Sequence, residues 1–197
     1  MSDDGTNAGR RKFLTVATSV VGAAGAVGIA VPFIGSWNPS AKAKAAGAPV
    51  KFDAGKIEPG QLVRVEWRGQ PVFVVRRTAD QIDGLASNDG DLKDPQSLVS
   101  KQPSYVDEQN RAVKAEYLVL VGLCTHLGCS PKYIKKLDPA APDASWNGGF
   151  FCACHGSKFD MAGRVYKSVP ASENLVVPPY YYESDSVMVI GLDGETA

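Results

Sequence analysis

The chain has 197 residues, with 21 basic and 21 acidic side chains, so its formal net charge is zero. No basic patch or stripe marks a nucleic-acid binder, and the composition, 44% hydrophobic and 21% charged, is that of an ordinary folded protein and not of a disordered chain. Groups able to hold a soft metal are few: four cysteines and two histidines, all six lying between positions 124 and 155.

The first element is the stretch GRRKFLTV, in which Arg10 and Arg11 precede Phe13 and Leu14. It resembles a twin-arginine export signal, a route that carries folded proteins and so suits a cofactor inserted before export. An ordinary basic n-region is the alternative. The chain is then uncharged from Phe13 to Ala41. The apolar part, Phe13 to Trp37, exceeds the roughly 20 residues that cross a bilayer. A cleaved signal has a shorter apolar region, about 7–15 residues. The length therefore argues for a retained anchor, although the small residues of AKAKAAGA, Ala41 to Ala48, would also suit cleavage. Gly22, Gly25 and Gly28 would permit close helix–helix approach. Lys42 and Lys44 flank the far end, so orientation rests on the twin arginines. The expected divisions are a cytoplasmic n-region over 1–12, a transmembrane anchor over 13–37, and a structureless linker over 38–50, small and polar in composition.

The remainder, 51–197, suits one domain and reads as mostly β. LVRVEW (Leu62 to Trp67) and PVFVVR (Pro71 to Arg76) flank the turn Arg68-Gly69-Gln70 and predict a hairpin. Further strands are expected at Tyr117–Leu123, Phe150–Phe151, Leu175–Val177 and Val187–Leu192. In TADQIDGL, Thr78 is an N-cap with Gln81 three residues on, which predicts a short helix. Residues 86–116 are polar and predict a helix-and-loop insertion with no evident chemistry. The fold class is an antiparallel β base with a smaller subdomain inserted at about 123–160, preceded by one transmembrane helix.

That subdomain holds two boxes, CTHLGC (Cys124 to Cys129) and CACHGS (Cys152 to Ser157). Each places Cys and His close enough to converge on one point. Gly128 and Gly156 allow tight turns that present backbone amides. Structural zinc is one reading, but its usual knuckles are Cys-x2–4-Cys and His-x3–5-His, and here two cysteines are left over. Two plain disulfides are another, which leaves the histidines unexplained. An iron–sulfur cluster on two Cys and two His, with the other two Cys joined, uses all six residues.

CTHLGC followed by C-x-CHGS resembles the Rieske iron–sulfur proteins. The resemblance implies a 2Fe-2S cluster with Cys124 and Cys152 on one iron, His126 and His155 on the other, and a Cys129–Cys154 disulfide. Replacing two thiolates by neutral imidazoles turns a dianionic oxidised site into a nearly neutral one, which raises the reduction potential by several hundred mV. Each imidazole also keeps an outer nitrogen that can hold a proton, so one electron and one proton can be taken together, as a quinol gives them. The disulfide would close about 25 residues, worth roughly 3–4 kcal/mol by loop entropy, and implies an oxidising compartment.

By the same resemblance, the Ser157 hydroxyl donates to a cluster sulfur, Leu127 shields the cluster near the quinol, and a proline loop around Pro170 covers it. Gly163 to Val165, Pro178 and Pro179 match the family's downstream pattern. Three positions depart from that pattern. Phe159 stands where Tyr is common, and losing its hydrogen bond, worth about 1–1.5 kcal/mol, would lower the potential by roughly 40–65 mV. Ala153 stands where Pro is common. The loop Ser168-Val169-Pro170-Ala171-Ser172 replaces a Gly-Pro-Ala-Pro-like sequence.

The implied function is that of the Rieske subunit of a quinol–cytochrome c reductase, a translocase in which this chain alone is not catalytically complete. His155, the primary contact, or His126 would take the hydrogen bond and proton of a quinol, ubiquinol by preference. The head would then reduce a c-type cytochrome. The implied partners are cytochrome b and a c-type cytochrome in a dimeric complex. The implied location is the bacterial inner membrane, with the N-terminus cytoplasmic and the head periplasmic. The alternatives are the small Rieske subunit of another exported oxidoreductase, arsenite-oxidase-like, relaying electrons from a molybdenum centre, and an exported zinc module.

Overall fold

The protein is described here by a computed structural model covering residues 7–194. The first six residues of the expected n-region, and residues 195–197 of the expected head, lie outside the described residues. The chain falls into two compact units, divided between Ala45 and Ala46.

The first unit is dominated by one helix, α1 (Ala8–Gly35). The Asn7 side chain caps it by accepting from the N–H groups of Gly9 and Arg10. Arg10 and Arg11 thus sit inside the first helical turn. At 1.5 Å per residue α1 is about 42 Å long, enough to cross a hydrocarbon core of about 30 Å. Beyond Lys12 it carries no charge and is apolar on every face, with Phe13, Val21, Ile29 and Phe33 each exposed and none of its residues buried. Such a surface suits lipid and not water. Thr15 and Thr18 turn their hydroxyls back onto the carbonyls of Arg11 and Leu14, so neither is left unpaired on that surface.

The expected structureless linker contains one short helix, α2 (Ala41–Ala46). Four of its six residues are Ala, the best helix former, and the Ser40 hydroxyl accepts from the Ala43 N–H.

The second unit holds three antiparallel three-stranded sheets. The strands are β1 (Val50–Asp53), β2 (Leu62–Trp67), β3 (Gln70–Arg76), β4 (Tyr117–Val121), β5 (Lys132–Ile134), β6 (Gly149–Cys152), β7 (Ser157–Phe159), β8 (Tyr180–Tyr182) and β9 (Val187–Ile190). The sheet orders are β1-β9-β8, β2-β3-β4 and β5-β6-β7. The main core lies on β3 and β4, where Val72 to Val75 and Tyr117 to Val121 are all buried. The mostly-β class with one apolar N-terminal helix is as the sequence predicts.

The hairpin is tighter than expected. Trp67 pairs with Gln70, which leaves only Arg68 and Gly69 in the turn. Both have positive φ, 52° and 69°, the geometry of the two-residue turns that match strand twist. The Thr78 capping box forms with both its bonds and starts α3 (Ala79–Asp83). The expected strand at Leu175–Val177 is absent. That segment is extended, but its bonds go to three different segments: Leu175 N–H to Gly163, Val177 N–H to Lys101, and the Val121 N–H to the Val176 carbonyl. No single ladder results. The 86–116 insertion holds no α-helix, only a 3-10 turn at Ala86–Asp91. The Asp94 and Asp107 side chains accept from backbone N–H groups locally, which competes with helix.

Candidate metal centre

The last residue of β4 lies three positions before Cys124, and the second box straddles the turn between β6 and β7. The two boxes fold as the same turn. The Gly128 N–H donates to the Cys124 carbonyl at 2.8 Å, and the Gly156 N–H to the Cys152 carbonyl at 2.9 Å. Both glycines are left-handed, with φ of 82° and 79°, which a side chain would oppose. The boxes differ in where His stands: two residues after Cys124 in the first, three after Cys152 in the second.

This pairing brings all six residues together. Cys129 and Cys154 form the disulfide. Cys124 and Cys152 remain free, buried thiols. The His126 and His155 rings lie edge to face with centroids 4.7 Å apart. The sulfurs of Cys129, Cys152 and Cys154 also lie within 4.8 Å of one another. That trio is no ligand set, because two of its members are spent in the disulfide.

The chemistry of the free donors fits a metal cluster. Nδ1 of His126 is buried with no hydrogen-bond partner, an orphan that a metal would satisfy. Burial pushes the Cys152 thiol up, and the adjoining Cys124 thiol adds to this. The backbone N–H groups of Cys154 and His155 pull it the other way. Those N–H groups are placed to stabilise a thiolate, and a bound metal deprotonates a coordinating thiol outright. Two buried thiols, two converging imidazoles and amide donors to sulfur are the donor set of a Cys2His2 2Fe-2S site.

Around this set, His155 and Leu127 are solvent-facing, and Leu127 is 72% exposed. Ser157 is fully buried, and its Oγ accepts from the Ala171 N–H at 3.0 Å. Among the described residues no protein acceptor takes its hydrogen, which leaves the hydroxyl free to donate into the site. Phe159 is fully buried on β7 opposite Phe150. Pro170 and Ala153 are exposed. The loop after Lys167 begins with Ser168 at φ 57°, where the sequence has no glycine to ease the turn. Arg10 and Arg11 belong to the other unit.

Several residues that hold the site carry no sequence signal. Thr125 donates to the Glu173 carbonyl at 2.6 Å, tying the first box to the proline loop. Behind β7, Asp160 and Arg164 form a fully buried ion pair. Asp160 also accepts from the N–H groups of Ala162 and Arg164. Arg77 and Arg111, both buried, donate to the carbonyls of Met161, Ala162 and Gly163. Burial pushes each of these two guanidinium groups down to about 10, still charged at neutral pH. A run of five residues thus rests on three buried guanidinium groups.

Comparison with known proteins follows the same lines. The family described as "Rieske [2Fe-2S] domain" matches residues 49–180. The family "Ubiquitinol-cytochrome C reductase Fe-S subunit TAT signal" matches residues 1–40. Among curated proteins, the "Ubiquinol-cytochrome c reductase iron-sulfur subunit" of Allochromatium vinosum is 53% identical over 100% of this chain and 95% of its own length. The protein of the same name from Blastochloris viridis is 44% identical over 96% of this chain and 97% of its own length.

Proposed function

The chain belongs to the Rieske iron–sulfur family, as a relative of the bacterial ubiquinol-cytochrome c reductase iron–sulfur subunits, and on that premise we propose that it takes an electron and a proton from quinol and delivers the electron to a c-type cytochrome. Membership makes it an electron-carrying subunit of an oxidoreductase complex with a Rieske-type 2Fe-2S cluster. The export-signal match and the apolar helix α1 fit a membrane-anchored, exported protein.

The residues that would hold the cluster are Cys124, Cys152, His126 and His155. When bound, the cluster supplies a one-electron centre of high potential for its class. The observation that carries the quinol assignment is that one imidazole of the set, His155, stands exposed and edge to face with His126, whose neighbour in the chain, Leu127, is exposed too. Its outer nitrogen accepts the hydrogen bond of a quinol hydroxyl and then holds the proton. Leu127 packs on the quinol and keeps water from the same nitrogen. His126, half-buried, can serve in the same way but is less accessible. Ser157 donates its hydroxyl hydrogen toward a cluster sulfur, and Gly128 and Gly156 hold the two turns open.

In this reading residues 1–12 are the cytoplasmic n-region, 13–37 the single-pass anchor in the bacterial inner membrane, 38–50 a hinge, and 51–197 the periplasmic head, with its cluster subdomain at about 123–160. The partners are cytochrome b, which shares the quinol site, and the c-type cytochrome, within a dimeric complex. The proton leaves His155 on the export side, which makes the whole a translocase.

The test is Leu127→Asp in the assembled complex. The cluster's EPR signal should persist, because Leu127 holds no iron, while quinol-dependent cytochrome c reduction falls at least tenfold. Unchanged turnover would remove the quinol contact from this face.

A further inference from the structure

The 86–116 insertion has no chemistry of its own, yet its middle grips the loop that covers the cluster site. The Lys167 N–H donates to the Asp91 carbonyl, and Leu92 bridges to Tyr166. The Lys93 N–H donates to the Val165 carbonyl. At the far end of the loop, the Asn174 side-chain amide donates to the Asp94 carbonyl and to the Ser97 hydroxyl, and the Asn174 N–H to the Ser100 hydroxyl. Asp94 in turn fixes its own loop by accepting from the N–H groups of Leu98, Val99 and Ser100.

Between these ends sits Lys93. Its ammonium donates to the carbonyls of Val169 and Ala171, at 2.8 Å and 2.6 Å, on either side of Pro170. Ala171 is the residue whose N–H donates to the Ser157 hydroxyl. Lys93 therefore does two things at once. It closes the loop so that the Ala171 N–H meets the Ser157 lone pair. It also holds the carbonyls of Val169 and Ala171, one peptide before and one after the Ala171 N–H, and so fixes the direction in which that N–H points at Ser157. A charged donor holds such carbonyls more strongly than a neutral one. In this chain the loop has Ser at 172 and a single proline, at 170, so an external clamp replaces stiffness that a second proline would otherwise supply.

We propose that Lys93 is the positioning residue that aims the Ser157 hydroxyl into the cluster site. The inference rests on the reading of Ser157 as a donor to a cluster sulfur. Lys93 touches neither quinol nor metal and acts through Ser157.

The experiment compares Lys93→Met, Lys93→Arg, Ser157→Ala and the double variant Lys93→Met/Ser157→Ala, each as the full chain in detergent with its cluster. An EPR-monitored redox titration at fixed pH gives the reduction equilibrium, and amide exchange at Ala171 reports the clamp. Lys93→Met should shift the equilibrium three- to tenfold toward the oxidised form, about 30–60 mV at 59 mV per tenfold. Lys93→Arg should restore it to within twofold. In the Ser157→Ala background, Lys93→Met should add less than twofold. Exchange at Ala171 should quicken at least tenfold in Lys93→Met but not in Lys93→Arg, with the β2-β3-β4 amides unchanged, which separates a loosened loop from a misfolded chain. Equal shifts from Lys93→Met in both backgrounds would show a charge acting through space and overturn the proposal. So would a shifted Ser157→Ala with a silent Lys93→Met. A silent Ser157→Ala would instead remove the reading of Ser157, and this inference with it.

Discussion

Sheet β2-β3-β4 buries four consecutive side chains on β3 and all five on β4. The boxes bury two thiols and Ser157 but leave Leu127, Gly128, Cys154 and His155 to solvent. One region is held by apolar area removed from water. The other is held by a disulfide, matched turns and hydrogen bonds to loops brought from elsewhere in the chain. The difference follows from task. In the proposed function this tip presents an imidazole and a leucine to a partner, so it cannot also bury them, and its rigidity has to come from covalent and polar ties.

The comparison breaks most sharply at Asp160 and Arg164, the buried ion pair between the two regions. Arg164→Met would leave the Asp160 charge unpaired in the interior and cost about 3–5 kcal/mol, read as a drop in the chemical-denaturation free energy of the whole second unit. A loss confined to the tip would show that base and tip are less tightly joined than the packing implies.

Next in size is the disulfide. Cys129→Ser/Cys154→Ser opens a 25-residue closure and should cost the tip about 3–4 kcal/mol. Amide exchange would quicken in β5-β6-β7 and the boxes while β2-β3-β4 keeps its protection. Uniform loss across both sheets would contradict a separately stapled tip.

A smaller effect is expected at Phe159, buried against Phe150. Phe159→Tyr supplies a hydroxyl where the family commonly has one. One added hydrogen bond to a cysteine sulfur, about 1–1.5 kcal/mol, would raise the potential by roughly 40–65 mV. No change in a redox titration would mean that the hydroxyl fails to reach sulfur.

The smallest is a pH effect at Asp94. Burial alone would push this carboxyl up. The hydrogen bonds from the Ser100 hydroxyl and from the N–H groups of Leu98, Val99 and Ser100 outweigh it and hold the group below its ordinary value. A depressed folded value means stability that is present above the unfolded value of about 3.9 and lost as pH falls through the folded value. Exchange at Leu98 to Ser100 should therefore quicken below about pH 4, while Asp94→Asn removes that pH dependence. An unaltered acid profile in Asp94→Asn would assign the effect to another carboxyl.

What could be read from sequence divides along the same line. The boxes, the Leu62–Arg76 hairpin and the Thr78 cap are local in sequence, so spacing alone reveals them. Strands β5 and β7 have three residues each, too few for alternation to register, and β1 has four. The buried guanidinium groups of Arg77, Arg111 and Arg164 stand in strings no different from surface ones. Lys93 sits in a polar segment and meets Val169 and Ala171 from 76 and 78 positions away. The apparent strand at Leu175–Val177 misled because Leu175 and Val177 are buried, and Val176 bonds to β4, without a partner ladder. Chemistry carried by neighbouring residues was legible. Support assembled from distant loops was not.

The proposed function turns on the outer imidazole nitrogens of His155 and His126 taking a proton together with the electron. The most direct test is an EPR-monitored redox titration of the full chain, repeated from about pH 5 to about pH 10. The expected result is a rhombic signal and a potential that falls as pH rises, toward about 59 mV per pH unit for each proton taken with the electron. A potential that stays flat across that range would keep the cluster but contradict the proton-coupled role of both histidines, and with it the assignment of quinol as the donor.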